Sequence, residues 1–225
     1  MSVSRTWKAL GAIQASAGHS AVPVSVKRSA VKHVGLAAVM LCLAGASTAQ
    51  AATTYFTTPQ ILREFFPKSQ KVGFRRFPLT PALVAALQER LGYPPRRQEY
   101  VVFVATTGER VDGYAIIDEE LGQHEEITFA VKLSPAGVVE RQEVMVYREK
   151  YGQEIMDPRF RRQFVGKTAK DPVRAGVDVD VVTGATISSR SMAIGVRRAL
   201  ILLDELVLKP QRPVGVVQPA PGSKG

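Results

Sequence analysis

Apolar residues recur along this chain in three different rhythms, and each predicts a different kind of element. Between Val34 and Ala46 they form an unbroken run of thirteen, short of the roughly twenty residues a membrane-spanning helix needs. From Thr57 to Leu91 they recur at helical spacing. Ile61, Leu62, Phe65 and Phe66 follow Thr58-Pro59, and Leu83, Val84, Leu87 and Leu91 follow Thr80-Pro81. A threonine cap followed by proline is a helix start signal, so two short helices are expected. Pro67 ends the first and Gly92 the second, while residues 68–78, with Lys68, Lys71, Arg75 and Arg76, read as irregular.

Beyond the stiff Pro94-Pro95-Arg96-Arg97 segment the rhythm changes to period two. Strands are predicted over Tyr100–Thr106, Arg110–Asp118, Ile127–Leu133 and Val138–Tyr147, with turns at Thr107-Gly108-Glu109, Leu121–Glu125 and Ser134–Gly137. Short strands joined by tight turns form an antiparallel meander. Ile127, Phe129 and Val131 alternate with Thr128, Ala130 and Lys132, which turns one face toward a core. A polar loop follows, then a short helix opened by Asp157-Pro158 and strand-like Val177–Val182. Ile187, Met192, Val196, Leu200, Leu203 and Val207 then mark an amphipathic helix of about twenty residues, roughly 30 Å long. The fold class is therefore α+β, a meander packed with helices.

Charge and composition narrow the chemistry. The net charge of +10 is half explained by residues 1–51, which hold five basic side chains and no acid; the remainder has 25 basic and 20 acidic residues, interspersed. Nucleic acid is not an expected partner. The single cysteine, Cys42, lies in the apolar run, and the only histidine beyond residue 51 is His124, in an acidic turn. Disulfides, iron–sulfur clusters and Cys-x-x-Cys-His haem attachment are excluded downstream of residue 51. Histidine-based hydrolysis is disfavoured. Gly166-Lys167-Thr168 lacks the spacing and the preceding strand of a phosphate loop.

The organisation expected is an export signal over 1–51, a helical extension with linker over 52–98, a main domain over 99–208 and a Pro/Gly-rich disordered tail over 209–225. Lys27, Arg28 and Lys32 precede the apolar run and Ala49-Gln50-Ala51 follows it, the order of a secretory signal cleaved near Ala51. That places the body in the periplasm or another extracytoplasmic space. An uncleaved N-terminal anchor is the alternative.

The stretch with chemical content is Asp180-Val181-Val182-Thr183-Gly184-Ala185-Thr186. One reading is a helix cap by Thr186 or Ser188. The other is an anion site, because free backbone N–H groups and the helix dipole favour negative charge there. Arg190, in the first turn, opposes the dipole unless an anion is present.

The pattern Asp-x-x-Thr-Gly-Ala-Thr at 180–186 resembles the flavinylation motif of the FMN-binding domain family, which includes covalent-FMN subunits of the sodium-pumping NADH:quinone reductase and of the Rnf complex. The resemblance implies FMN joined by a phosphoester to Thr186, with Asp180, Thr183, Gly184 and Ala185 as the recognition sequence. It also implies a separate flavin transferase that uses FAD as donor. Where those membrane-complex members carry a Glu-Thr-Pro-Gly-type loop, this chain has Lys150-Tyr151-Gly152-Gln153-Glu154. Tyr151, Gly152, Gln153 and Glu154 are thus candidate cofactor contacts. Tyr147, Tyr151, Phe160 and Phe164 are candidates to stack on the ring, though each reads first as core. The function expected is an exported electron carrier working with a membrane redox protein, with no catalytic constellation of its own. A periplasmic flavin-dependent reductase and a non-redox exported binding module are the alternatives.

Overall fold

The computed structural model describes residues 52–211; the expected export signal and all but the first residues of the tail lie outside them. Six antiparallel strands form one sheet in the order β1-β6-β5-β4-β3-β2. They are β1 (Thr53–Thr54), β2 (Lys71–Pro78), β3 (Glu99–Thr107), β4 (Arg110–Leu121), β5 (Glu126–Leu133) and β6 (Val139–Tyr147). The expected four-strand meander is present as β3 to β6. Helices α1 (Thr58–Phe65) and α2 (Pro81–Leu91) begin at the two Thr-Pro signals. Thr80 Oγ1 accepts a hydrogen bond from the N–H of Leu83, and Gly92 closes α2 at φ 85°.

Two expectations fail. Residues 71–78 are not irregular but form edge strand β2, in register with β3 from Lys71↔Thr106 to Pro78↔Glu99. The ladder is supplied by a partner some thirty residues away, and Phe74 faces Phe103 with ring centroids 6.4 Å apart. The 52–98 segment is therefore built into the same sheet rather than appended to it. Likewise Val177–Val182 is not a strand. It is a turn with a single bridge, Ala175↔Val179, because the Asp178 carboxylate accepts from the N–H groups of Val173 (3.1 Å) and Arg174 (2.7 Å). A short polar side chain that satisfies nearby backbone competes with a sheet ladder.

The larger core lies on one face of the sheet. There Ile116, Ile127, Phe129, Val131 and Leu133 meet α2, the short helix α3 (Pro158–Arg162) and the long helix α4 (Thr186–Leu203). On the opposite face Ala105, Ala115, Ala130 and Met145 are small or flexible enough to admit Ile61, Phe65 and Phe66 of α1 and its end. Helix α4 continues through a wider turn, Asp204–Leu208, into α5 (Lys209–Gln211). Of its expected apolar stripe, Met192, Val196, Leu200, Leu203 and Val207 are buried, whereas Ile187 is exposed. Gly195 allows the close approach: a Cβ there would lie 2.5 Å from the Phe129 ring. No helix among the described residues is long and apolar enough to cross a membrane.

Candidate functional site

The site is built where three segments meet: the end of β6, the loop through Gly152, and the start of α4. Buried Tyr147, the last residue of β6, donates its hydroxyl to the carbonyl oxygen of Tyr151 at 2.5 Å. Its single proton being used there, the 3.2 Å contact with Ser188 is donated by the serine hydroxyl. Burial raises the Tyr147 pKa, opposed by the Ser188 hydrogen bond and assisted by Glu149 and Glu154. The phenol is thus a neutral stitch between sheet, loop and helix. Gly152 adopts φ 89°, and a Cβ there would lie 2.8 Å from the Tyr147 hydroxyl and closer still to Ser188 Oγ. Only glycine fits both that backbone and that space.

The next segment, a 3₁₀ turn over Gln153–Met156, sets Glu154 beside the motif: its Oε1 would be 3.6 Å from a Cβ at Gly184. The structure therefore gathers Gly152 and Glu154 from the loop with Gly184, Thr186 and Ser188 from the motif and helix. It does not gather all four candidate aromatics. Phe160 and Phe164 form an edge-on pair 5.4 Å apart inside the core, and Tyr147 is buried with them. Tyr151 is 68% exposed, with the Lys150 ammonium 5.3 Å from its ring centre. Of the four, Tyr151 alone has a ring face open to a ligand.

Neither Thr186 nor Ser188 caps α4. Its N-cap is Ala185, whose carbonyl oxygen accepts from the N–H of Ser189 at 2.8 Å. Ser189 Oγ in turn accepts from Val182 N at 3.2 Å, and Ala185 N donates to the Val182 carbonyl at 3.0 Å. These bonds fold the loop back on the helix and leave Thr183, Gly184 and Thr186 exposed while Ala185 is buried. Asp180 is also exposed; its N–H donates to Gln163 Oε1 at 2.7 Å. The N–H groups of Thr186, Ile187 and Ser188 precede the first helical bond and belong to the positive end of α4.

This arrangement fits an esterified phosphate. Thr186 presents its hydroxyl to solvent on the first helical residue, and its side chain makes no hydrogen bond among the described residues. Gly184, at φ 83°, keeps the backbone open beside it. Arg190 sits one turn further along, exposed, rather than in the first turn itself. Sequence reasoning missed Ser188 and Ser189. The available signal was Ser188, Ser189 and Ser191 in a helix otherwise destined for the core; Ser191 Oγ donates to the Leu121 carbonyl at 2.6 Å.

Residues 122–201 match the family described as FMN-binding domain, and the chain contains such a domain over that range. Two solved structures are similar to the chain. One is NqrC of Shewanella oneidensis, 17% identical, covering 65% of this chain and 86% of its own, with a TM-score of 0.46. The other is the corresponding component of the Na(+)-translocating NADH-quinone reductase of Parabacteroides distasonis, 14% identical, covering 68% of this chain and 85% of its own, with a TM-score of 0.43. No curated protein matches the chain.

Proposed function

We propose that the FMN-binding domain at residues 122–201 makes this chain an exported electron carrier, with FMN held covalently through a phosphoester to Thr186. The observation that carries the reading is the exposed Thr186 hydroxyl on the first residue of an 18-residue helix, at the end of Asp180-x-x-Thr-Gly-Ala-Thr186 and inside the matched range. FMN, when bound, supplies reversible one- and two-electron chemistry. The protein supplies position: Thr186 tethers, the amide groups at the start of α4 face the anion, and the Tyr147–Ser188 bond fixes loop against helix. Gly152, Gln153, Glu154 and exposed Tyr151 form the neighbouring wall.

A threonine hydroxyl is a weak nucleophile without an activating base, and Thr186 has no hydrogen-bonded base among the described residues. Attachment by a separate flavin transferase follows from that. A tether keeps the cofactor through repeated redox cycles outside the cytoplasm, where a dissociated flavin would be lost. The electron partner is a membrane redox protein.

Co-expression with a flavin transferase, followed by a denaturing gel viewed under ultraviolet light, tests the attachment. The wild-type band should fluoresce, Thr186→Ser should retain fluorescence, and Thr186→Ala should lose it entirely. A fluorescent Thr186→Ala band would remove Thr186 as the site; a dark wild-type band would remove covalent attachment. For export, N-terminal sequencing of protein recovered from the extracytoplasmic fraction should begin near Ala52, and a start at Met1 would refute cleavage.

A further inference from the structure

The outward face of α4 carries a feature that the tether does not use. Arg190, Ala193, Ile194 and Arg197 recur at spacings of three and four, so they share one face of the helix. Thr186, four residues before Arg190, begins the same stripe. This face forms one wall of a cavity of about 770 Å³; the end of α2 and the 172–177 turn form the others. The volume lies within the roughly 300–1,000 Å³ of small-molecule sites.

The lining has two components. Tyr93, Val177 and Ile194 provide flat or branched apolar surface, and Val177 and Ile194 are 64% and 45% exposed. Arg174, Arg190 and Arg197 provide three guanidinium groups, and no carboxylate lines the cavity. Arg197 is held across one end by the carbonyl oxygens of Arg90 (2.7 Å) and Leu91 (3.1 Å). The guanidinium groups of Arg174 and Arg190 have no hydrogen-bonded or ion-paired partner among the described residues. Elsewhere the protein pairs its arginines: Arg76, Arg90, Arg96, Arg97, Arg110 and Arg141 each meet a carboxylate.

The wall opposite the helix is fixed. Val173 adopts φ 42°, a backbone that a β-branched residue avoids. It is held there by its buried side chain and by Asp178, which binds the N–H groups of Val173 and Arg174 and the Lys167 ammonium (2.7 Å). A turn held this firmly presents Arg174 and Val177 without the ordering cost that a mobile loop would add on binding.

We propose that this groove is a binding site for a flat aromatic anion: apolar walls for the ring system, and Arg174, Arg190 and Arg197 for its carboxylate, sulfonate or phosphate. Guanidinium groups both pair such anions and stack on aromatic planes. Two sources share this chemistry, a free aromatic acid arriving from solution and the flavin tethered at Thr186 folded back along α4. The site itself is independent of the tether, so its test is too.

The probe is anthraquinone-2-sulfonate, titrated by calorimetry into the full chain carrying Thr186→Ala, which bears no tethered flavin. One saturable site is expected. Arg190→Gln should weaken binding about tenfold, and Arg174→Gln with Arg190→Gln should abolish it. Ile194→Asp, a change at an exposed position, should abolish it through a carboxylate placed in the groove. Arg159→Gln, at the far exposed Asp157 pair, should leave binding unchanged. Absence of saturable binding to the Thr186→Ala chain, or binding indifferent to the Arg174, Arg190 and Ile194 changes, would overturn the proposal. The flavinylated wild type then separates the sources. Exclusion of the probe identifies the tethered flavin as occupant. Retained binding with quenching of the flavin fluorescence identifies a ligand from solution beside it.

Discussion

Arg190 and Arg198 are two turns apart on the same helix, carry the same charge, and stand in opposite circumstances. Arg198 is 1% exposed. It donates to Asp118 at 2.7 Å, to the Glu119 carbonyl at 2.8 Å, and to Glu120. Burial alone would lower its pKa; the Asp118 and Glu120 carboxylates outweigh that and raise it. Arg190 is exposed and pairs with nothing among the described residues. The inner arginine is a structural bolt between α4 and β4, and every group around it is satisfied. The outer one faces a groove with no counter-charge. On a single helix, the degree of satisfaction separates a residue that holds the fold from one available to a ligand.

The sharpest way to break this comparison is from the inside. Arg198→Met leaves Asp118 and Glu120 partly buried without their main cation, a class of change that costs about 3–5 kcal/mol. Arg97 at 3.4 Å from Asp118 and Arg96 at 3.3 Å from Glu120 still reach the carboxylates, so a loss near 3 kcal/mol is expected. For a domain of this size that lowers the thermal midpoint by roughly 10 °C. Adding Asp118→Asn and Glu120→Gln should recover most of it. A single variant as stable as wild type in thermal and urea unfolding would contradict the assignment of Arg198 as a bolt.

A smaller effect is expected at the turn that carries Arg174. The Asp178 carboxyl is pushed up by partial burial but pulled down further by the Arg174 N–H, the Lys167 ammonium and the Val173 N–H, so its pKa lies below the usual range. A depressed carboxyl contributes stability above its unfolded pKa of about 4, and that contribution is lost as pH falls through the folded value. Asp178→Asn should therefore cost about 1–3 kcal/mol at pH 7. The gap from wild type should narrow as urea unfolding is repeated from pH 5 downward. A gap that widens on acidification would show that Asp178 is not what holds the turn.

The sequence pattern made some of this legible and not the rest. The meander from β3 to β6 could be read because alternation and Gly turns are local signals. Strand β2 could not, since Lys71, Arg75 and Arg76 interrupt its alternation and its register is set by β3. Val177–Val182 misled in the other direction: its valines favour a strand, but one carboxylate at Asp178 captures the neighbouring backbone. Within the site, Thr186 and its motif were legible because a tether needs a contiguous pattern. The Tyr147–Ser188 stitch joins residues 41 apart, and the groove draws on three separate segments. Neither leaves a local trace.

The finest test of the comparison is a charge reversal at the outer arginine. Arg190 is the fifth residue of α4 and opposes the positive helix end, so in the flavin-free protein its charge contributes nothing to the fold. Arg190→Glu should leave stability unchanged or raise it by a few tenths of a kcal/mol, because the dipole effect fades beyond the first turn. The same variant should lose anthraquinone-2-sulfonate binding, since it removes one of three cations and adds an anion. Stability and binding would then move in opposite directions at Arg190 on one substitution. At Arg198 no such separation can occur: the groups that hold the charge are the groups that hold the helix to the sheet. If Arg190→Glu instead unfolds the protein at lower urea, the outer face is structural too and the contrast between the two arginines fails.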